Sequence, residues 1–397
     1  MRRLVADVDT GIDDMLALIY LAARHRAGEI ELAGVTTVAG NTTVENVAVN
    51  TRWVLDLCGC PDIPVGVGPA VPVSIPLTTT PETHGDYGLG YARPPREVGE
   101  RLLVDGGEPT DHKSTASRTL TTTDVWEAAL QDGPADLVAA GPLTSVAMNP
   151  ELVSRFDSLT IMGGAVEYRG NTTPTAEWNF WVDPDAVAMT LNEARQRDWD
   201  VTLCHLGVTE TIMVTPDDIA RWDLTGELGT LVKDALRFYF EFHDNEGIGY
   251  CAQVHDLLAV MVALDAVSYG IADKALVAVP DDRGAITTVA AADGGREKAA
   301  TIHVLDSVDP DDVRAETQRV LATLTPSRRY ITAAQRSKSA RTLRVTSTML
   351  RSDAVVSGHV RVFSPQSGLT HRGSTPTASI ASRISVVISS TDGTRGE

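Results

Sequence analysis

Short β-branched runs alternate with helical patterns through the first half of the chain, and this rhythm restricts the fold more than any other feature. "RRLVADV" predicts a strand, "DDMLALIYLAARH" a helix, "IELAGVTTV" a strand, "TVENVAVNTRWVLDLCG" a helix and "DIPVGVG" a short strand. Farther on, "ADLVAAG" and "SLTIMGG" are strand candidates on either side of a helical "PLTSVAMNPELVSRF". Units of this kind join parallel strands by right-handed crossovers. The expected fold is therefore α/β: an open, mostly parallel, Rossmann-like sheet with helices on both faces. Ligands bind such sheets at the C-terminal ends of the strands. The segments "DVDTGIDD", "VTTVAGN", "AAGPLT" and "IMGGA" all fall at such exits.

The first exit is crowded with charge. Asp7, Asp9, Asp13 and Asp14 lie within eight residues, directly ahead of an apolar helix, and no basic residue stands between Arg3 and Arg24. Asp13 and Asp14 could serve simply as helix-capping carboxylates. Alternatively the turn folds the carboxylates around one point, which is what a hard divalent cation asks of oxygen ligands.

The balance of charge excludes one class of partner. With 34 basic against 53 acidic residues the net charge is −19, whereas a nucleic-acid surface needs a concentrated basic face. A small molecule or a cation suits the chain better. The four cysteines, Cys58, Cys60, Cys204 and Cys251, form neither a disulfide framework nor a paired zinc motif, so free thiols are expected. The N-terminus lacks the pattern of a secretory signal, and no apolar run approaches the roughly 20 residues of a membrane span. The expectation is a cytoplasmic protein with no membrane contact.

Composition also divides the chain. Residues 333–397 carry nine Lys/Arg, three Asp/Glu and 21 Ser/Thr, a shift that marks a separate basic tail with the character of disorder after a main domain at 1–332. Within that domain residues 104–124 are polar, rich in Gly, Ser and Thr, and aperiodic, as expected of an inserted surface loop.

Further motifs follow the acidic one in order. "GVTTVAGN" ends in Asn41, "AAGPLTSVA" gives a Gly-Pro turn, "GNTTPTAEWNFWVDPDAV" brings Asn171, Glu177 and Asn179 close together, and "QVHDLLAV" sets His255 beside Asp256 before a helix. Five motifs in this order resemble the inosine-uridine preferring nucleoside hydrolases, from residue 4 to about 265 and more loosely to about 325. The resemblance implies a calcium ion held by Asp9, Asp14, Asp256 and the backbone carbonyl of Ala140, with Asp9 as general base on a calcium-bound water. It also implies that Asp13, Asn41, Asn171, Glu177 and Asn179 hold the ribose hydroxyls, that His255 is the acid for the leaving base, and that His84 lines the base pocket. Tyr239 and His243 are four residues apart on one helical face that meets either the base or the core. Trp178 stands between two of the sugar contacts, although a Trp in such a place is more often core. The family pattern often has Pro where this chain has Thr10.

The implied chemistry is self-consistent. Breaking an N-glycosidic bond builds positive charge on the sugar, which an anionic pocket stabilises, and a departing base needs a proton. The expected function is hydrolysis of ribonucleosides by a homodimer or homotetramer. Two alternatives are a haloacid-dehalogenase-type phosphatase, which also uses Asp-x-Asp after the first strand, and a nucleoside-binding protein without turnover. Against the phosphatase, Asp9 is followed by "TGIDD", and no Lys and Asp pair stands at suitable strand ends downstream.

Overall fold

The computed structural model describes residues 1–102, 119–289 and 299–324. The tail 333–397 and most of the expected loop 104–124 lie outside the described residues. The loop's last residues do not stay aperiodic: Leu120–Thr121 pairs in the sheet, and Thr121 caps a helix, Thr122–Gln131, through the Asp124 backbone N–H.

The strands are β1 (Arg2–Val8), β2 (Ile30–Thr37), β3 (Val65–Val67), β4 (Leu120–Thr121), β5 (Asp136–Ala139), β6 (Leu159–Met162), β7 (Val201–Cys204), β8 (Met213–Val214), β9 (Ala252–Gln253), β10 (Tyr269–Ala278), β11 (Ile286–Thr288) and β12 (Ala300–Val308). Ten of them form one open sheet in the order β11-β10-β12-β7-β6-β5-β1-β2-β3-β4. From β4 across to β12 the pairs are parallel, and β10 then enters antiparallel to both β12 and β11. The chain winds outward from β1 through β2, β3 and β4. It then returns to place β5 on the opposite side of β1 and winds the other way. The order therefore reverses between β1 and β5, and loops leaving those two strands diverge to open a crevice.

Both faces of the sheet are covered, which is why β1 carries apolar residues at consecutive positions, Leu4, Val5 and Ala6. Leu4, Ala6 and Val8 of β1 pack on one side with the helices Ile12–Arg26 and His255–Ala263, while Val5 packs on the other with Val125, Trp126 and Leu137. The helix Ile12–Arg26 is buried continuously from Ile12 to Ala23, and it touches the helices Val44–Leu57, His255–Ala263 and Pro310–Leu321. A helix apolar on all sides has to be enclosed in this way. Its last turn gathers Arg24, His25 and Arg26, and Gly28 beyond it takes the left-handed conformation that ends helices.

The helix expected over "PLTSVAMNPELVSRF" is broken into Thr144–Met148 and Pro150–Val153. Pro150 has no N–H to continue the ladder and pushes Asn149 out of the helical region, to φ −129° and ψ 47°. Among the described residues no helix is long and apolar enough to cross a membrane, and all four cysteines are buried free thiols.

The enclosure of the helix Ile12–Arg26 sets a stability expectation. Leu18, fully buried, should on truncation to Ala lower the unfolding free energy by roughly 2–5 kcal/mol. Met189→Ala on an exposed helix face should change it by no more than about 0.5 kcal/mol. Denaturant midpoints at unchanged slope measure both, and similar shifts would show that this helix is not the centre of the core.

Candidate active site

Four strand exits and one helix start converge on a single cavity of about 610 Å³. Asp9 follows β1, Asn41 lies beyond β2, Ala140 follows β5 and Met162 ends β6, while His255 and Asp256 open the helix His255–Ala263. The expected residues Asp9, Asp13, Asn41, His84, Ala140, Asn171, Glu177, Trp178, Asn179, Tyr239, His243, His255 and Asp256 all line it. Asp14 does not. It is fully buried, and its Oδ2 accepts from the Gly11 N–H at 2.8 Å and the Asn41 amide at 3.5 Å.

The acidic residues are brought together without a basic partner among the described residues. One carboxylate oxygen from each of Asp13, Asp14 and Asp256 lies within 4.8 Å of the others, and all three residues are buried. Asp9 stands beside them on the cavity wall, its Oδ2 accepting from the Asn41 backbone N–H at 2.7 Å. Glycine is required around this knot. A side chain at Gly40 would lie 2.2 Å from Asp9 Oδ2, and one at Gly11 would meet the Asn41 amide at 2.6 Å and the His84 ring at 2.7 Å. Burial, reinforced by like charge, holds Asp9 and Asp256 well above the usual carboxylate range and pushes Asp14 up to about 7, and burial raises Asp13 to about 6.

This group fits a hard cation. The donors are all oxygen, and Asp14 Oδ1 is buried with no hydrogen-bond partner, an orphan that an ion would satisfy. The group with mutually close oxygens contains Asp13, whereas the resemblance points to Asp9 in that place. The Ala140 carbonyl already accepts from Asn179 Nδ2 at 3.0 Å and keeps a second lone pair.

Beyond Asp9 the wall is built by a short helix, Trp178–Val182, whose N-cap is Glu177. The carboxylate of Glu177 accepts backbone N–H groups from Asn179 (2.8 Å), Gly164 (2.8 Å) and Phe180 (3.2 Å). Burial nonetheless raises it to about 7. Asn179 spends its amide N–H groups on the carbonyls of Ala140 and Met162, which leaves its own carbonyl oxygen uncommitted. Asn171 is exposed at the rim, where it accepts from the Thr172 hydroxyl. Trp178 is half-buried and stacks on Trp181 at 5.6 Å, so it is a cavity wall more than a core residue.

The opposite wall is aromatic. Tyr239 lies between His84 and His243, with ring centroids 5.3 and 4.3 Å away, which places the helical face of Tyr239 and His243 on the cavity. The Nδ1 of His84 accepts the Ile12 N–H at 3.0 Å, so its ring proton sits on Nε2. His255 Nδ1 is 2.9 Å from the Thr209 hydroxyl. Burial, with the charge of neighbouring histidines, lowers both rings to about 3. Met162, Arg169, Glu210, Phe242, Glu246 and Gln253 also line the cavity, and sequence reasoning missed them. Arg169 and Tyr168 both bond Glu210, and Gln253 donates to the Glu210 backbone carbonyl. Only the closeness of Arg169 to Asn171, and of Gln253 to His255, could have pointed to two of these.

The chain is similar to known proteins in sequence and in fold. The family described as inosine-uridine preferring nucleoside hydrolase matches residues 4–315. The inosine-uridine preferring nucleoside hydrolase of Leishmania major is 32% identical over 277 residues, 66% of this chain and 79% of that protein. The pyrimidine-specific ribonucleoside hydrolase RihA of Salmonella paratyphi B is 33% identical over 262 residues, 64% of this chain and 76% of that one. In fold, the chain is similar to a purine-preferring ribonucleoside hydrolase from Gardnerella vaginalis, with a TM-score of 0.67 and 24% identity over 81% of this chain and 99% of the other.

The raised carboxyl groups fix a pH dependence. Folded carboxyls that hold protons above their unfolded range contribute stability that is present at low pH and lost as pH rises through about 6 to 7. Chelated protein should therefore melt lower at pH 8 than at pH 6. An excess of divalent cation should raise the pH 8 melting temperature most, by roughly 5 °C. A chelated protein that melts alike at both pH values and ignores added cation would contradict a cation-binding carboxylate group.

Proposed function

The chain belongs to the inosine-uridine preferring nucleoside hydrolase family, and on that premise we propose that it hydrolyses the N-glycosidic bond of ribonucleosides with Asp9 as general base and calcium as its ion. The observation that carries this is a single cavity in which buried carboxylates face the sugar-holding candidates Glu177 and Asn179. Asp9 has one oxygen tied to the Asn41 N–H and the other available to a water. Its carboxylate lines the cavity, where it can take a proton from that water. Asp13 and Asn41 on one side, and Asn171, Glu177 and Asn179 on the other, grip the ribose hydroxyls. As C1′ gains positive charge the anionic surroundings stabilise it more than they stabilise the intact nucleoside. Calcium, held by Asp9, Asp14, Asp256 and the Ala140 carbonyl, would bind the sugar diol and lower the pKa of a water there.

The departing base lies toward the aromatic wall of His84, Tyr239 and His243, with Trp178 across the cavity. It leaves as a neutral molecule only if protonated, and three imidazoles line its path. The family assignment displaces the phosphatase alternative. A protein that binds nucleosides without turning them over remains the outcome that the following experiment would expose.

Asp9→Asn keeps shape and removes basicity. It should lower kcat for inosine and uridine by about 10²–10⁴-fold while KM changes little, as read from release of reducing sugar. A variant with near-normal turnover would remove Asp9 from the mechanism. Exhaustive chelation should abolish sugar release and calcium should restore it; activity that survives chelation would remove the ion.

A further inference from the structure

The helix Trp178–Val182 and its cap Glu177 supply three residues of the cavity wall, yet five residues are too few to make a helix that is stable alone. Glu177 and Asn179 are fixed by backbone bonds, whereas the Trp178 Nε1 is buried with no hydrogen-bond partner, so no polar contact orients that indole. Packing orients it instead: Trp181, three residues on, stacks against it with centroids 5.6 Å apart and planes at 23°. Trp181 is held in turn by Arg283, from the turn between β10 and β11. The Arg283 guanidinium lies over the Trp181 indole, 3.4 Å from its centroid, and its Nε donates at 2.7 Å to the Trp181 backbone carbonyl, one of those that a helix end leaves without an internal partner. Arg283 Nη2 is buried with no hydrogen-bond partner, and burial lowers the pKa of the guanidinium with no carboxylate countering it among the described residues. The turn approaches the helix so closely that Gly284, at φ 78°, has no room for a side chain: a Cβ there would lie 2.5 Å from Trp181 Cα. Beside it Ala285 bridges to Ala176, the residue before Glu177.

We infer that Arg283 is a positioning residue: acting through Trp181, it fixes the Trp178 indole as a wall against which the nucleoside packs. The inference rests on the hydrolytic function proposed above. Arg283 lies 102 residues beyond Trp181 in the chain and does not itself line the cavity. Glu177 and Asn179 keep their own bonds to Gly164, Ala140 and Met162, outside the helix, so the influence of Arg283 passes through Trp178 and not through them. A packed ring touches the intact nucleoside and the transition state alike, so loosening it weakens binding and leaves the chemical step nearly unchanged. Only a guanidinium does both jobs here, because its plane stacks on an indole while an N–H in that plane reaches a carbonyl; an ammonium keeps the charge and loses the stack.

The test is a double-mutant cycle in calcium-loaded protein, read as the Kd of formycin B, a C-nucleoside whose carbon–carbon glycosidic bond is not hydrolysed, and as kcat for inosine. Arg283→Met should weaken formycin B binding by about tenfold while kcat for inosine stays within about threefold. In a Trp178→Leu background the same substitution should weaken binding by less than about twofold. Arg283→Lys, which disturbs the fold less, should repeat the pattern at about threefold, again abolished by Trp178→Leu. Equal losses in both backgrounds would show that Arg283 acts elsewhere and would overturn the inference, as would unchanged binding or a fall in kcat with binding intact. The indole N–H resonance of Trp178 gives a readout without ligand: it should move or broaden in Arg283→Lys, and an unchanged resonance would equally overturn the assignment. Wild-type protein that releases no sugar from inosine would instead defeat the hydrolytic function, while the formycin B affinities and the indole resonance would still decide the role of Arg283.

Discussion

Everything at this site follows from burying several carboxylates together, with no basic side chain paired to them among the described residues. Asp9, Asp13, Asp14 and Asp256 are buried at the one place in the sheet where the strand order reverses. A lone buried carboxylate is strongly disfavoured, and several together more so. The fold tolerates them because backbone N–H groups of Gly11 and Asn41 are aimed at two of them and because protons or a cation complete the neutralisation. The same negative field then meets a sugar that becomes cationic only as its bond breaks, so the feature that weakens the resting site strengthens its grip on the transition state.

Much of this is legible in the sequence because its signals are local. Strand-turn-helix spacing predicts the parallel sheet, and the sheet's C-terminal edge predicts where Asp9, Asn41 and Ala140 meet. Acidic residues with no basic neighbour between Arg3 and Arg24 point to a cation before any geometry is known. Three-dimensional neighbours are a different matter. Glu210 and Gln253 reach the cavity by long-range folding, and their types are ordinary for loops and short strands. Thr209 beside His255 is equally silent. The break at Asn149 and Pro150 was visible in the residues, yet the apolar pattern on either side concealed it.

The two sides of the cavity are built on different principles. On the wall that carries Glu177 and Asn179, side chains are locked by backbone bonds: three N–H groups hold Glu177, and two carbonyls hold Asn179. Such geometry is pre-organised and suits a ligand part that never varies. Across the cavity the rings of His84, Tyr239 and His243 lean on each other at tilted angles, and Arg169 reaches in from the rim with much of its side chain in solvent. Adaptable contacts of this sort suit the variable part of a nucleoside, its base.

The helix Ile12–Arg26 has its first turn in the cavity and the rest of its length in the main core. Asp13 and Asp14 are thus anchored through a helix that is buried continuously from Ile12 to Ala23. Residues 169–172, with Glu246 and Ile248, border the cavity away from that helix. Substitutions along that border leave the core untouched, whereas the floor formed by Asp13 and Asp14 cannot change without disturbing the helix that carries them.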